Sequence, residues 1–175
     1  MMMGTSLVAC ICEGASEREI ITKLLDEGKL IFDRAQLLDK EVLRCRSPRD
    51  FEEKYLSKGF DEKITVYRIL DSRREKFNLR AAYRDKVDVI SVITAPEIEM
   101  LVIITEEKFA DYAKVKSTQK PSDYCKTSLK YPNVKDPSFN KMYFNDVRTL
   151  ISAIKKYKKL SKLPNKEKCL ADILR

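Results

Sequence analysis

The sequence predicts an α/β fold: a mostly parallel, four-stranded sheet with helices on both faces, followed by a basic, mainly helical extension. Three observations predict it. Short β-rich apolar runs recur at 7–12, 41–46, 63–70 and 87–93. Helical spacing of apolar residues fills the intervals, a rhythm that builds parallel sheets. The charge then shifts: the first 110 residues carry 19 Lys or Arg and 21 Asp or Glu, whereas the last 65 carry 16 and 6. We therefore expect an α/β core over 1–110 and a basic extension over 111–175 packed on it.

The first apolar run, 7–12, reads as a buried strand turned by Glu13 and Gly14. Ser16 and Glu19 have the spacing of a capping box, followed by Ile20, Ile21, Leu24 and Leu25 on one helical face and Gly28 at the C-cap. Ser47 and Pro48 predict the N-cap and first position of a helix carrying Phe51, Tyr55 and Leu56, ended at Gly59. Residues 74–86 read as helix between the third and fourth strands. Pro96 is placed to open a helix through Ile98, Leu101, Val102 and Phe109, with a fifth strand at 100–105 as the alternative. Three prolines (Pro121, Pro132, Pro137) break 116–140 into short helix and loop. Leu150, Ile151 and Ile154 then mark the buried face of an amphipathic helix over 145–159, and a last short helix, capped by Asn165, is expected to carry Cys169, Leu170, Ile173 and Leu174.

There is no histidine. That excludes Ser-His-Asp and Cys-His hydrolases, HNH and HD nucleases and phosphohistidine transfer. Phosphate chemistry is left to carboxylates with a divalent metal, or to lysine and tyrosine. The five cysteines (Cys10, Cys12, Cys45, Cys125, Cys169) include no C-x-x-C pair, and we expect buried, reduced thiols in a cytoplasmic protein. No apolar run is long enough to cross a bilayer, and Met1 to Ser6 lack the basic and apolar regions of a secretion signal. A P-loop is absent, so no ATP site of that kind is expected.

In an open parallel sheet the site lies where loops leave the carboxyl ends of the strands. Glu13, Asp71, Glu97 and Glu99 fall at such ends. Carboxylates from three strand ends suit a hard cation such as Mg2+ or Mn2+, which neutralises a phosphodiester and activates water. Glu97 has a simpler reading as a capping partner of Thr94, three residues earlier. The lysines of the extension, Lys155, Lys156, Lys158 and Lys159 above all, present positive charge suited to a nucleic-acid backbone, or simply to solvent.

The run Val8-Ala9-Cys10-Ile11-Cys12-Glu13-Gly14-Ala15-Ser16-Glu17 resembles the opening of Toprim domains. Ile69-Leu70-Asp71-Ser72-Arg73 stands where they carry D-x-D. The stretch from Ala95 to Val102 is similar to the N-P-x-F-E-x-W-L segment of the RloB-like branch, associated with bacterial phage-defence loci beside an ATPase partner. The resemblance spans about residues 6 to 105. It implies a metal-dependent phosphodiester-cleaving protein, with Glu13 as general acid/base, Asp71 and Glu99 as metal ligands, and the ATPase as partner. Arg73 replaces the second aspartate of D-x-D. A guanidinium there opposes a second cation and is suited to holding a phosphate, so one ion at most is expected. The alternative is a non-catalytic nucleic-acid- or partner-binding subunit with a degenerate site. A third expectation, a D…E-x-K nuclease using Glu106-Glu107-Lys108, requires that segment to be a strand.

Overall fold

Strands β1 (Leu7–Cys12), β2 (Ile64–Leu70) and β3 (Val87–Ile93) pair in parallel in that order, with Leu7 opposite Ile64 and Ile64 opposite Val87. The structure, a computed structural model, describes residues 6–175; the expectation that Met1 to Thr5 open no secretion signal lies outside them. The α/β class and the parallel sheet are as expected, but among the described residues three strands form instead of four. On the free side of β1, the fourth is reduced to single parallel bridges, Val8 with Leu37 and Ile11 with Leu43. Between them a 3-10 turn at Leu38–Lys40 takes Asp39 and Lys40 through positive φ. That turn interrupts the ladder.

Alternating β1 side chains separate two cores. Val8, Cys10 and Cys12 join Ile69 and Val92 under α1 (Ala15–Asp26), α4 (Met100–Thr105) and α8 (Val147–Leu160). Ala9, Ile11, Ile64 and Val66 instead meet Phe51, Leu56, Phe77 and Leu79 on the opposite face. All five cysteines are buried and free, with Cys10 and Cys12 in the same core, as their spacing predicts. Tyr112, Cys125, Phe144, Leu150 and Ile154, all beyond residue 110, belong to the core that α1 and β1 share.

Several local expectations change. The capping box of Ser16 and Glu19 does not form. Gly14 is the N-cap of α1, and Ser16 donates instead to the Lys135 carbonyl. Ser47 does cap the next helix, its Oγ accepting from Asp50 N–H, with Pro48 opening α2 (Pro48–Phe51). That helix widens into a π turn, Glu52–Leu56, before Gly59 at φ 74°. Of the helix expected over 74–86 only α3 (Ala81–Arg84) forms. Phe77 and Leu79, two apart, both enter the smaller core, so the chain before α3 follows an extended period. The Glu52 carboxylate fixes its end by accepting from Arg80 N–H at 2.6 Å.

Pro96 follows a cis peptide bond and does not open a helix; α4 begins at Met100. The alternative fifth strand at 100–105 is therefore this helix. Beyond it, α5 (Phe109–Ala113), α6 (Pro121–Thr127) and α7 (Pro137–Tyr143) lead to α8, two of them opened by the expected prolines. Helix α8 buries Leu150, Ala153, Ile154 and Tyr157, while Ile151 lies half-buried at the flank instead of at the centre of the face. The last short helix is a 3-10 turn, Leu170–Ile173, capped from Cys169 instead of Asn165. Among the described residues no helix is long and apolar enough to cross a membrane.

Candidate functional site: a crevice at the carboxyl ends of the strands

The connections leaving β1 and β2 part in opposite directions. From β1 the chain enters α1 over the larger core; from β2 it passes through Phe77 and Leu79 into the smaller one. Counting the bridged segment 37–43 as an edge, this divergence is the switch point at which open α/β sheets bind ligands. Glu13 and Asp71, each the first residue after its strand, flank it. Their surroundings differ.

Glu13 turns toward the smaller core. Its Oε1 lies 3.6 Å from Nη2 of Arg68, a β2 residue only 2% exposed, and Arg68 also reaches Glu75 at 3.3 Å. Glu13 lines a cavity of about 470 Å3 with Arg44, Arg46 and Lys54. Asp71 and Glu97 line a separate, larger cleft of about 960 Å3 with Arg73. The structure therefore does not gather Glu13, Asp71 and Glu99 around one point.

The carboxylates that influence one another are Glu17, Glu97 and Glu99, with Asp71 acting on Glu17. Burial raises the Glu17 carboxyl above its ordinary range, and the charges of Asp71 and Glu97 add to the rise. Burial pushes Glu99 up to about 7, partly opposed by its own backbone N–H and by Lys135, with Glu97 and Glu17 adding to the rise. Glu97 goes the other way. Burial would raise it, but the Ser122 N–H at 2.8 Å and Lys135 Nζ at 3.0 Å outweigh that and hold it below the usual carboxylate range. Glu97 thus receives the first turn of α6, and no capping box with Thr94 forms; the buried Thr94 hydroxyl has no partner among the described residues.

The cation at the centre is Lys135. Burial disfavours its charge, yet the Glu97 carboxylate and the nearby Glu99 and Glu17 keep its ammonium above the ordinary range. The Ser16 hydroxyl, donating to the Lys135 carbonyl, ties this loop to the first turn of α1. Sequence reasoning passed over both Glu17 and Lys135. For Glu17 a signal existed in the spacing Gly14-x-x-Glu17. A Cβ built on Gly14 would stand 1.9 Å from Glu17 Oε2, so the carboxylate folds back across the bare glycine backbone. Nothing local marks Lys135, which arrives from 118 residues downstream of Glu17.

Among the described residues no group of three or more Cys, Asp or Glu side chains stands close enough together to hold a metal ion. The donor set explains this: Glu13 faces Arg68, and Glu97 is engaged by Ser122 and Lys135. Arg73, the residue in place of the second D-x-D aspartate, forms a two-point pair with Glu167, at 2.7 and 2.9 Å. Glu106 accepts hydrogen bonds from the Tyr131 and Tyr143 hydroxyls and closes α4, so the strand required by a D…E-x-K site does not exist.

The larger cleft is lined by apolar and aromatic side chains, including Phe109, Tyr112 and Leu160, and by Arg73, Lys116, Lys120 and Lys162 beside Asp71 and Glu97. Lys155 and Lys159, one turn apart, form a stripe along one side of α8, and the chain beyond the helix end carries Lys162 into the lining of this cleft. Lys156 is offset by about a quarter-turn, and Lys158 is held by Asp172. Compared with protein-family models, curated proteins and solved structures, the chain matches none of them.

Proposed function

We propose that this protein binds nucleic acid in the cleft at the carboxyl ends of β2 and β3. The observation that carries the reading is the composition of that cleft: cationic side chains from three separate segments together with apolar and aromatic ones. Lysine and arginine attract phosphates by releasing condensed counterions, and aromatic and apolar surface accommodates bases irrespective of sequence. Lys155 and Lys159 extend the positive surface beyond the cleft. Arg73 contributes once a phosphate competes with Glu167 for its guanidinium. The test is fluorescence anisotropy with a labelled oligonucleotide over a salt series. Changing Lys116, Lys120 and Lys162 together to Gln is expected to reduce the slope of log affinity against log salt by about 2–3, since each phosphate no longer neutralised removes roughly 0.7–0.9. An unchanged slope overturns the cleft as the binding surface.

A second reading, metal-dependent phosphodiester cleavage, is favoured by the mutual influence of Asp71, Glu17, Glu97 and Glu99. It is the reading that the Toprim-like motifs imply, within a bacterial defence system and beside an ATPase partner. The side chains as arranged do not fit a three-carboxylate ion site, because Lys135 already neutralises Glu97, so binding takes precedence over cleavage here. Removing that ammonium exposes the carboxylates to one another, which favours a divalent cation. Calorimetric titration of Mn2+ should show tighter binding to Lys135→Met than to the unsubstituted protein. Absence of binding by both removes the metal from this site.

A further inference from the structure

We propose that the smaller cavity, on the Glu13 side of the crevice, is a phosphate-monoester site built from Arg44 and Arg46, with the buried Arg68 behind it in contact with Glu13 of the lining. It goes beyond the cleft described above and shares no lining residue with it. Arg68 projects from the central strand near its carboxyl end, opposite Ile11 and Ser91, and is 2% exposed. Its guanidinium lies over the Phe77 ring, 4.8 Å from the centroid, and its Nε and Nη1 have no hydrogen-bond partner among the described residues. Arginine does not shed its proton in proteins, so a fixed positive charge is held here with N–H groups unused. Only Nη2 has ionic neighbours, Glu75 at 3.3 Å and Glu13 at 3.6 Å, both longer than a close charge-assisted pair.

The cavity lined by Glu13, the partner of Arg68, carries further positive charge. Arg44 and Arg46, two apart in an extended stretch, are exposed on one side while Cys45 between them is buried. Neither arginine has an ion-pair partner among the described residues. Lys54, also in the wall, is directed to Asp39 at 3.2 Å. Arg44, Arg46 and Lys54 line the cavity against the carboxylates of Glu13 and Asp50, and Arg68 behind Glu13 adds a further positive charge, so cations outnumber acids. A phosphate monoester, with three free oxygens and a charge near −2 at neutral pH, matches both the donors and the charge. Glu75, half-exposed on the loop after β2, is the carboxylate such a group replaces at Arg68. The chemistry admits two sources, a free nucleotide or the terminal phosphate of a nucleic-acid strand.

The full chain is titrated with a nucleoside 5′-monophosphate, the matching nucleoside, and a short oligonucleotide with and without a 5′-phosphate. The monophosphate is expected to bind and the nucleoside to bind at least about tenfold more weakly, as removal of charge-assisted hydrogen bonds requires. Arg46→Gln and Arg44→Gln should each weaken monophosphate binding, and Glu75→Gln, a surface change, should strengthen it by removing the competing carboxylate. Preference for the phosphorylated oligonucleotide over its hydroxyl form assigns the strand end, whereas binding of the mononucleotide alone assigns a free nucleotide. Equal affinity for nucleoside and monophosphate, or no gain from Glu75→Gln, overturns the site. The triple Lys116, Lys120 and Lys162 variant should bind the monophosphate unchanged, which separates failure here from failure of the larger cleft.

Discussion

Ile154→Ala is expected to destabilise the protein by about 2–5 kcal/mol, the usual cost of emptying a closed aliphatic site. Ile154 is fully buried and lies with Leu150 and Tyr157 against the core that α4 shares. Ile151→Ala should cost about 1–2 kcal/mol at most, because only part of its side chain leaves water on folding. Denaturant unfolding of both variants reads the difference as a shift in midpoint at constant slope. Equal destabilisation by the two would rotate α8 and move its lysine stripe away from the cleft, so the pair of variants also bears on where the positive surface lies.

Glu99→Gln is expected to stabilise the protein at pH 8 and to flatten its pH dependence. The Glu99 carboxyl is 4% exposed and has a folded pKa of about 7 against an ordinary 4.5. Since the folded state holds the proton more tightly, the contribution of Glu99 is fully present below about pH 4.5. It is lost as pH rises to about 7, a decline on the order of 3 kcal/mol. Glu17, also raised, slopes in the same direction, while Glu97, held low, slopes in the opposite one. The difference between unsubstituted protein and Glu99→Gln isolates Glu99 from both. Thermal or urea unfolding at pH 5 and pH 8 measures it, and a variant less stable at pH 8 would contradict a buried, proton-hungry carboxylate.

The strands at 63–70 and 87–93 and the helix after Gly14 were legible because each is a local pattern of apolar period and boundary residues. The segment 74–80 was not. Its charged residues suggest helix, and only the smaller core, assembled from distant Phe51, Leu56 and Ile64, draws Phe77 and Leu79 inward. The candidate site divides along the same line. Strand-end position located Glu13, Asp71, Glu97 and Glu99, but the pleat decides which face a side chain joins, and Glu13 follows Ala9 and Ile11 toward Arg68. Arg68 itself reads in sequence as an ordinary charge on a strand. Its burial depends on Phe77, Glu13 and Glu75 arriving from outside its own strand. Lys135 escaped notice for the same reason, since the acids it neutralises lie far from it in the chain.

The most direct test of the central claim, nucleic-acid binding in the larger cleft, is lysine footprinting by acetylation and mass spectrometry with and without a saturating oligonucleotide. Lys116, Lys120 and Lys162 should become protected, with Lys155 and Lys159 following along the stripe, while exposed Lys58 and Lys141 outside the cleft keep their reactivity. Protection confined to lysines away from the cleft, or no change at Lys116, Lys120 and Lys162, would contradict nucleic-acid binding there.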